Sequence, residues 1–167
     1  IVKALGCGIH KDFTLDRLRY HKVILLMDAD SDGHHIATLL LTFFYRYLRP
    51  LIEGGHVYLA QPPLFRIDAG KKTYWALDEA DRKRILKRLP PRTRPEISRF
   101  KGLGEMMPKT LFQTTLDPQR RRLLRVTIPD GARLETEQGV TDLMGKDPQT
   151  RFREITQWMS LVEDLDV

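Results

Sequence analysis

Residues 23–27 read VILLM, and residues 28–33 directly after them read DADSDG. A run this short and wholly apolar, with charge on both sides, is the mark of a strand buried on both faces, as in parallel sheets. From His35 the pattern changes. Ile36, Leu39, Leu40, Phe43, Phe44, Tyr47, Leu48 and Leu51 recur at spacings of three and four, which predicts a helix over 35–51 with a wide apolar face, closed by Pro50. Residues 56–61, HVYLAQ, read as the next strand, stopped by Pro62 and Pro63. A strand, an acidic loop, a crossover helix and a second strand imply a parallel α/β sheet.

The remainder is assigned from turn and cap signals. Residues 64–67 and 73–77 form a hairpin around Gly70, and Asp78 caps a helix running to about Arg88. Pro90, Pro91 and Pro95 mark a linker. A strand over 97–100 enters KGLGE, residues 101–105, whose two glycines permit close backbone approach or a positive φ. Pro108 starts a helix through Thr115. A short helix over 120–124, a strand over 126–128 and two helices within 136–159, parted by Gly145 and Pro148, complete the chain.

The acidic loop carries the chemistry. In extended backbone, residues two apart point the same way, so Asp28 and Asp30 can share one hard cation with Asp32 nearby. Oxygen-only ligands suit Mg²⁺ or Ca²⁺ and not zinc. DADSDG matches the opening of an EF-hand loop, but the twelfth position is Leu39 where a bidentate Glu is required. A phosphatase with an aspartyl nucleophile also follows a strand with DxD, but its fifth position is Thr or Val and here is Asp32. Two readings stay open. The acids cap the following helix, or they hold Mg²⁺ for phosphodiester chemistry at the carboxyl end of a parallel strand, where open α/β sheets bind ligands.

Charge favours an anionic partner. The net charge is +6 and the pI about 9.6, and nucleic acid is the first such partner. Arg82, Lys83, Arg84, Lys87, Arg88, Arg92, Arg94, Arg99 and Lys101 form one basic stretch, and Arg120, Arg121, Arg122 and Arg125 another. Both are read as phosphate-backbone contacts or as solvated faces. His34 and His35 start the long helix beside the acids. The lone Cys7 excludes an intramolecular disulfide and fits a reducing compartment. No Walker A pattern is present, and no apolar run reaches the roughly 18 residues of a membrane span. The chain opens on Ile1 in mid-pattern, which reads as a fragment.

Three separated stretches carry a family resemblance: LRYHKVILLMDADSDGHHIATLLLTFFYR, GHVYLAQPPLFRI and RFKGLGEMMPKTLFQTTLDP. In this order they resemble the B subunit of bacterial type IIA topoisomerases, DNA gyrase and topoisomerase IV, and the likeness runs from ALGCGI to the closing LVEDLDV. The resemblance implies an α/β Toprim fold, a Rossmann-like parallel sheet flanked by helices, here incomplete at its N-terminus and followed by a helical C-terminal tail. Residues 1–65 would be the C-terminal part of Toprim and 66–167 the B subunit's C-terminal segment. It also implies Mg²⁺-dependent cleavage and religation of double-stranded DNA. Asp28 and Asp30 match the family's DxD, Asp32 a third acid, His35 a family His and Lys101 the Lys of KGLGE. Asp28, Asp30 and Lys101 would thus be catalytic, and Asp28, Asp30 and Asp32 metal-binding.

The family's EGDSA and PLRGK motifs are absent, and with them the third catalytic carboxylate. His34 stands where Ser or Ala is usual, and Ala37 where Arg is frequent. ATP would be bound by a domain outside this chain. The nucleophilic Tyr would come from the A subunit of an A2B2 heterotetramer. The expected setting is cytoplasmic, on the nucleoid, with no membrane. Alone, the piece is expected neither to hydrolyse ATP nor to cleave DNA.

Overall fold

The apolar run forms a strand, β1 (Val23–Leu25), and Leu25 is buried. It lies parallel to β2 (Val57–Ala60), with Val23 opposite Val57 and Leu25 opposite Leu59. This parallel pair is the predicted βαβ unit. In the computed structural model, which describes residues 1–159, β6 (Leu123–Arg125) adds to the other side of β2 in the antiparallel sense. The strand expected over 126–128 therefore sits earlier, and the helix expected over 120–124 is a turn and then this strand. The open edge of β2 decides it, pairing Leu59 with Leu124 and Ala60 with Leu123. The closing LVEDLDV, residues 161–167, lies outside the described residues.

The chain divides into two units that each draw on separate stretches of sequence. One holds residues 22–37 and 57–125, and with them both sheets. Its second sheet is the predicted hairpin, β3 (Phe65–Ala69) with β4 (Lys72–Ala76), extended by β5 (Glu96–Arg99) on the far side of β3. Phe65, Ile67 and Ala76 form its buried core, with Leu64, Tyr74, Ile85, Leu86 and Leu89 packed around them. The predicted helix from Pro108 is α-helical only over Pro108–Leu111 and widens to a π turn over Phe112–Leu116. There Thr114 returns its hydroxyl to the Thr110 carbonyl at 2.8 Å, a bond that bends helices.

Between β4 and β5 stands the helix Glu79–Arg88, capped as predicted by Asp78, which accepts the Asp81 N–H at 2.6 Å. Asp81 answers by accepting the Leu77 N–H at 3.2 Å, a reciprocal cap, and pairs with Arg84. Burial pushes the Asp81 carboxyl up, but the Leu77 N–H and the Arg84 guanidinium outweigh it and hold it below the usual carboxylate range. A depressed folded pKa gives stability that is present above the unfolded value, about 3.9, and lost as pH falls through the folded one. Asp81→Ala should cost about 1–3 kcal/mol at pH 7. The gap to wild type should narrow below about pH 4 in urea unfolding curves.

The other unit holds residues 1–21, 38–56 and the chain from 126 onward. Its described elements are helical, and Phe44, Leu48 and Leu51 are among its fully buried side chains. The long predicted helix is here two helices, Ser31–Tyr47, of which Ser31 to Ala37 belong to the sheet-bearing unit, and Arg49–Glu53. Leu48 breaks them with a φ of −137°, and Pro50 lies in the first turn of the second helix instead of closing the first. Cys7 is buried, and burial raises its thiol, as for an inert structural cysteine.

The tail of this unit carries two helices, Arg133–Met144 and Pro148–Trp158. Glu137 of the first accepts the Tyr45 hydroxyl at 3.1 Å and pairs with Arg49 at 2.6 Å. A methyl added at Gly139 in the same helix meets nothing within 4 Å. Gly139→Ala should therefore raise stability by about 0.5–1 kcal/mol, seen as a higher midpoint of thermal unfolding. Among the described residues no helix is long and apolar enough to cross a membrane.

Candidate metal centre

The backbone leaves β1 and presents Asp28, whose side chain is held from far along the chain. Its Oδ1 accepts the N–H of Leu103, 75 residues away, at 2.7 Å. Leu103 belongs to KGLGE, where residues 103–105 form a 3-10 turn and the Lys101 N–H donates to Glu105 Oε2 at 2.8 Å. Gly102 lies against the same carboxylate. A methyl on it would stand 3.0 Å from Oδ2 and 3.2 Å from Oδ1 of Asp28.

Asp30 is the residue before the helix Ser31–Tyr47. Its Oδ1 accepts the Gly33 N–H at 2.8 Å, and its carbonyl accepts the His34 N–H at 3.0 Å. The capping role left open by the sequence is thus real for Asp30. It occupies one lone pair of a group that has about four, so capping and metal ligation are compatible. Gly33 is buried because the helix start presses onto the loop. A methyl there would run into the backbone carbonyl of Asp28.

Asp32 differs from the expectation. The alternation argument requires extended backbone, and the backbone is helical from Ser31. Asp32 sits exposed in the first helical turn. Among the described residues, no group of three or more His, Cys, Asp or Glu converges on a point that would hold a metal. Two carboxylates of one loop, each fixed by a backbone N–H, are what this chain offers. Asp28 borders a cleft of about 320 Å³ lined also by His34, Gln61, Pro62 and Asp78, at the carboxyl ends of the parallel pair. The donors are oxygen only, and Gly102 leaves beside Asp28 the space a Cβ would fill. The residues fit a hard divalent cation.

Lys101 and Ala29 line one small crevice, with Phe100 and Gly102. The basic stretches divide. Arg82 pairs with Glu79 at 2.9 Å and lies over the Phe65 ring, and Arg84 pairs with Asp81, so both serve the fold. Lys83, Lys87, Arg88, Arg92, Arg94 and Arg99 are exposed. In the second group Arg120 stands 3.9 Å from Asp117, and Arg122 and Arg125 are exposed.

Known proteins match this arrangement along the chain. Residues 3–62 match the Toprim domain, and residues 92–156 match the carboxyl terminus of the DNA gyrase B subunit. The DNA gyrase B subunit of Halalkalibacterium halodurans is 47% identical over 167 residues, and that of Archaeoglobus fulgidus 46%, each covering 100% of this chain. The DNA topoisomerase 4 B subunit of Rickettsia conorii is 43% identical over 98% of it. The chain belongs to the gyrase B and topoisomerase IV B family. It spans about a quarter of these relatives, 26% of each.

Within this gyrase B-type chain the Toprim match contains Asp28, Asp30 and His35, and the carboxyl-terminal match contains Lys101. The hairpin β3–β4 and the helix after it, within residues 63–91, fall in neither. Sequence reasoning missed the roles of Gly102 and Leu103. The signal was present in the paired glycines of KGLGE, which allow close backbone approach. What they approach was not readable.

Proposed function

We propose that this chain is part of the Mg²⁺-dependent DNA cleavage and religation core of an ATP-dependent type II topoisomerase. Residues 1–65 form the end of its Toprim domain and 66–167 the B subunit's C-terminal segment. Asp28 and Asp30 are the metal ligands, and Asp32 is a supporting acid of the same loop. The observation that carries the reading is that the DxD acids stand at the carboxyl end of a parallel strand with the KGLGE turn folded onto Asp28. Bound Mg²⁺ supplies Lewis-acid stabilisation of charge at the scissile phosphate. Asp28, which borders the cleft, and Asp30 would supply the carboxylate oxygens, and Lys101 would contact a DNA phosphate. The exposed Lys and Arg side chains hold the duplex backbone independently of sequence. The nucleophilic Tyr comes from a partner A subunit, forming the phosphotyrosyl bond as the leaving oxygen departs, and religation reverses this. The setting is the cytoplasm.

A second reading is a DNA-binding or subunit-docking module without its own metal. It draws on the helix-capping role of Asp30 and on the missing three-carboxylate cluster among the described residues. The two separate in the reconstituted enzyme. With supercoiled DNA and a Mg²⁺ series, Asp28→Asn should abolish metal-dependent cleavage and leave DNA retention intact. Unchanged cleavage removes the metal reading.

A further inference from the structure

We infer that Gly102 and the Leu103 amide of KGLGE are positioning residues for the metal ligand Asp28, an inference that rests on the metal reading above. The Leu103 N–H fixes Oδ1 at 2.7 Å, which sets the rotation of the carboxylate about its Cβ–Cγ bond. Gly102 sets how close the turn can come, since a methyl would stand 3.0–3.2 Å from Oδ2, Cγ and Oδ1. Its backbone is extended, with φ −152° and ψ 169°, a conformation open to any residue. The glycine therefore matters for space beside the carboxylate, which an added methyl would push by a few tenths of an ångström, and not for backbone freedom.

The neighbouring glycine provides the contrast. A methyl at Gly104 meets nothing within 4 Å, although it lies in the same turn. Glu105 locks the turn from behind by accepting the Lys101 N–H at 2.8 Å. The turn acts through Asp28, as an outer partner that orients a ligand and raises its effectiveness. Losing such a partner weakens metal binding about 10–100-fold.

The test is a Mn²⁺ titration of the intact natural protein containing this chain, followed by electron paramagnetic resonance of the free ion. Gly102→Ala should raise the Mn²⁺ midpoint at least about tenfold. Gly104→Ala should leave it within about twofold. Replacing Leu103 by its α-hydroxy acid deletes the N–H but keeps the side chain, and should weaken binding like Gly102→Ala. This second variant keeps the question open to test if Gly102→Ala does not fold. A purely structural role for the turn would instead lower the thermal midpoint of Gly102→Ala without separating its Mn²⁺ midpoint from that of Gly104→Ala, and would overturn the positioning role. Wild-type binding in Gly102→Ala and in the α-hydroxy variant, alongside lost binding in Asp28→Asn, overturns the positioning role alone. Wild-type binding in Asp28→Asn overturns both it and the metal reading.

Discussion

Asp28→Asn in the intact enzyme should lower Mg²⁺-dependent DNA cleavage about a thousandfold while leaving ATP hydrolysis near wild type. Asparagine keeps an oxygen that can accept the Leu103 N–H, so the turn stays docked. What is lost is the negative charge that holds a hard cation. Lewis-acid stabilisation is worth several kcal/mol, and about 4 kcal/mol corresponds to roughly three decades in rate. Asp30 allows a finer division because it caps a helix and is proposed here as a ligand of the cation. Asparagine caps as well as aspartate, whereas alanine costs about 1 kcal/mol at such a position. Asp30→Asn should therefore lose cleavage at unchanged stability, and Asp30→Ala should lose both. If Asp30→Asn cleaves like wild type, Asp30 is a cap and nothing more. Gel assays of linear and nicked products across a Mg²⁺ series, beside thermal unfolding of each variant, make the distinction.

That two roles meet in one Asp explains what the sequence could and could not say. The strand, the long helix and the parallel return to β2 were legible because VILLM, the three-and-four spacing and HVYLAQ are local patterns. Asp78 as a cap and the hairpin about Gly70 were legible for the same reason. Leu48 was not. It keeps the apolar spacing on both sides of the break, so periodicity runs through a residue whose φ has left the helix. The Leu123–Arg125 strand is set by the exposed edge of β2, a partner far away in sequence. For Asp32 the alternation argument was carried one step past Asp30, where the backbone turns into a helix. The Leu103 amide that fixes Asp28 is a backbone group, and no side-chain pattern announces it. The resemblance named Lys101 of KGLGE among the catalytic residues but not what the turn touches. The structure supplies that contact.

Gly33→Ala should damage the centre without altering a ligand side chain. Gly33 is buried in the first turn of the helix, and an added methyl would stand 2.0 Å from the carbonyl oxygen of Asp28 and 3.1 Å from its backbone nitrogen. These are backbone atoms, which cannot swing aside as a flexible side chain does. Either residues 28–30 move outward or the first helical turn opens and the Asp30 cap is lost. Forcing an extra methyl into a packed site costs about 1–3 kcal/mol. The larger effect falls on function, because Asp28 and Asp30 ride on the displaced segment. A shift of about 1 Å in a catalytic group can cost about 100-fold. Cleavage by Gly33→Ala should accordingly fall by about that factor, and excess Mg²⁺ should restore only part of it, since the ligands remain but are misplaced. Gly139→Ala makes the same chemical change at a helical glycine with open space around it, and should leave cleavage unaltered. Equal cleavage by the two glycine variants would mean that close packing of the helix start on the Asp28 backbone does not set the geometry of the centre.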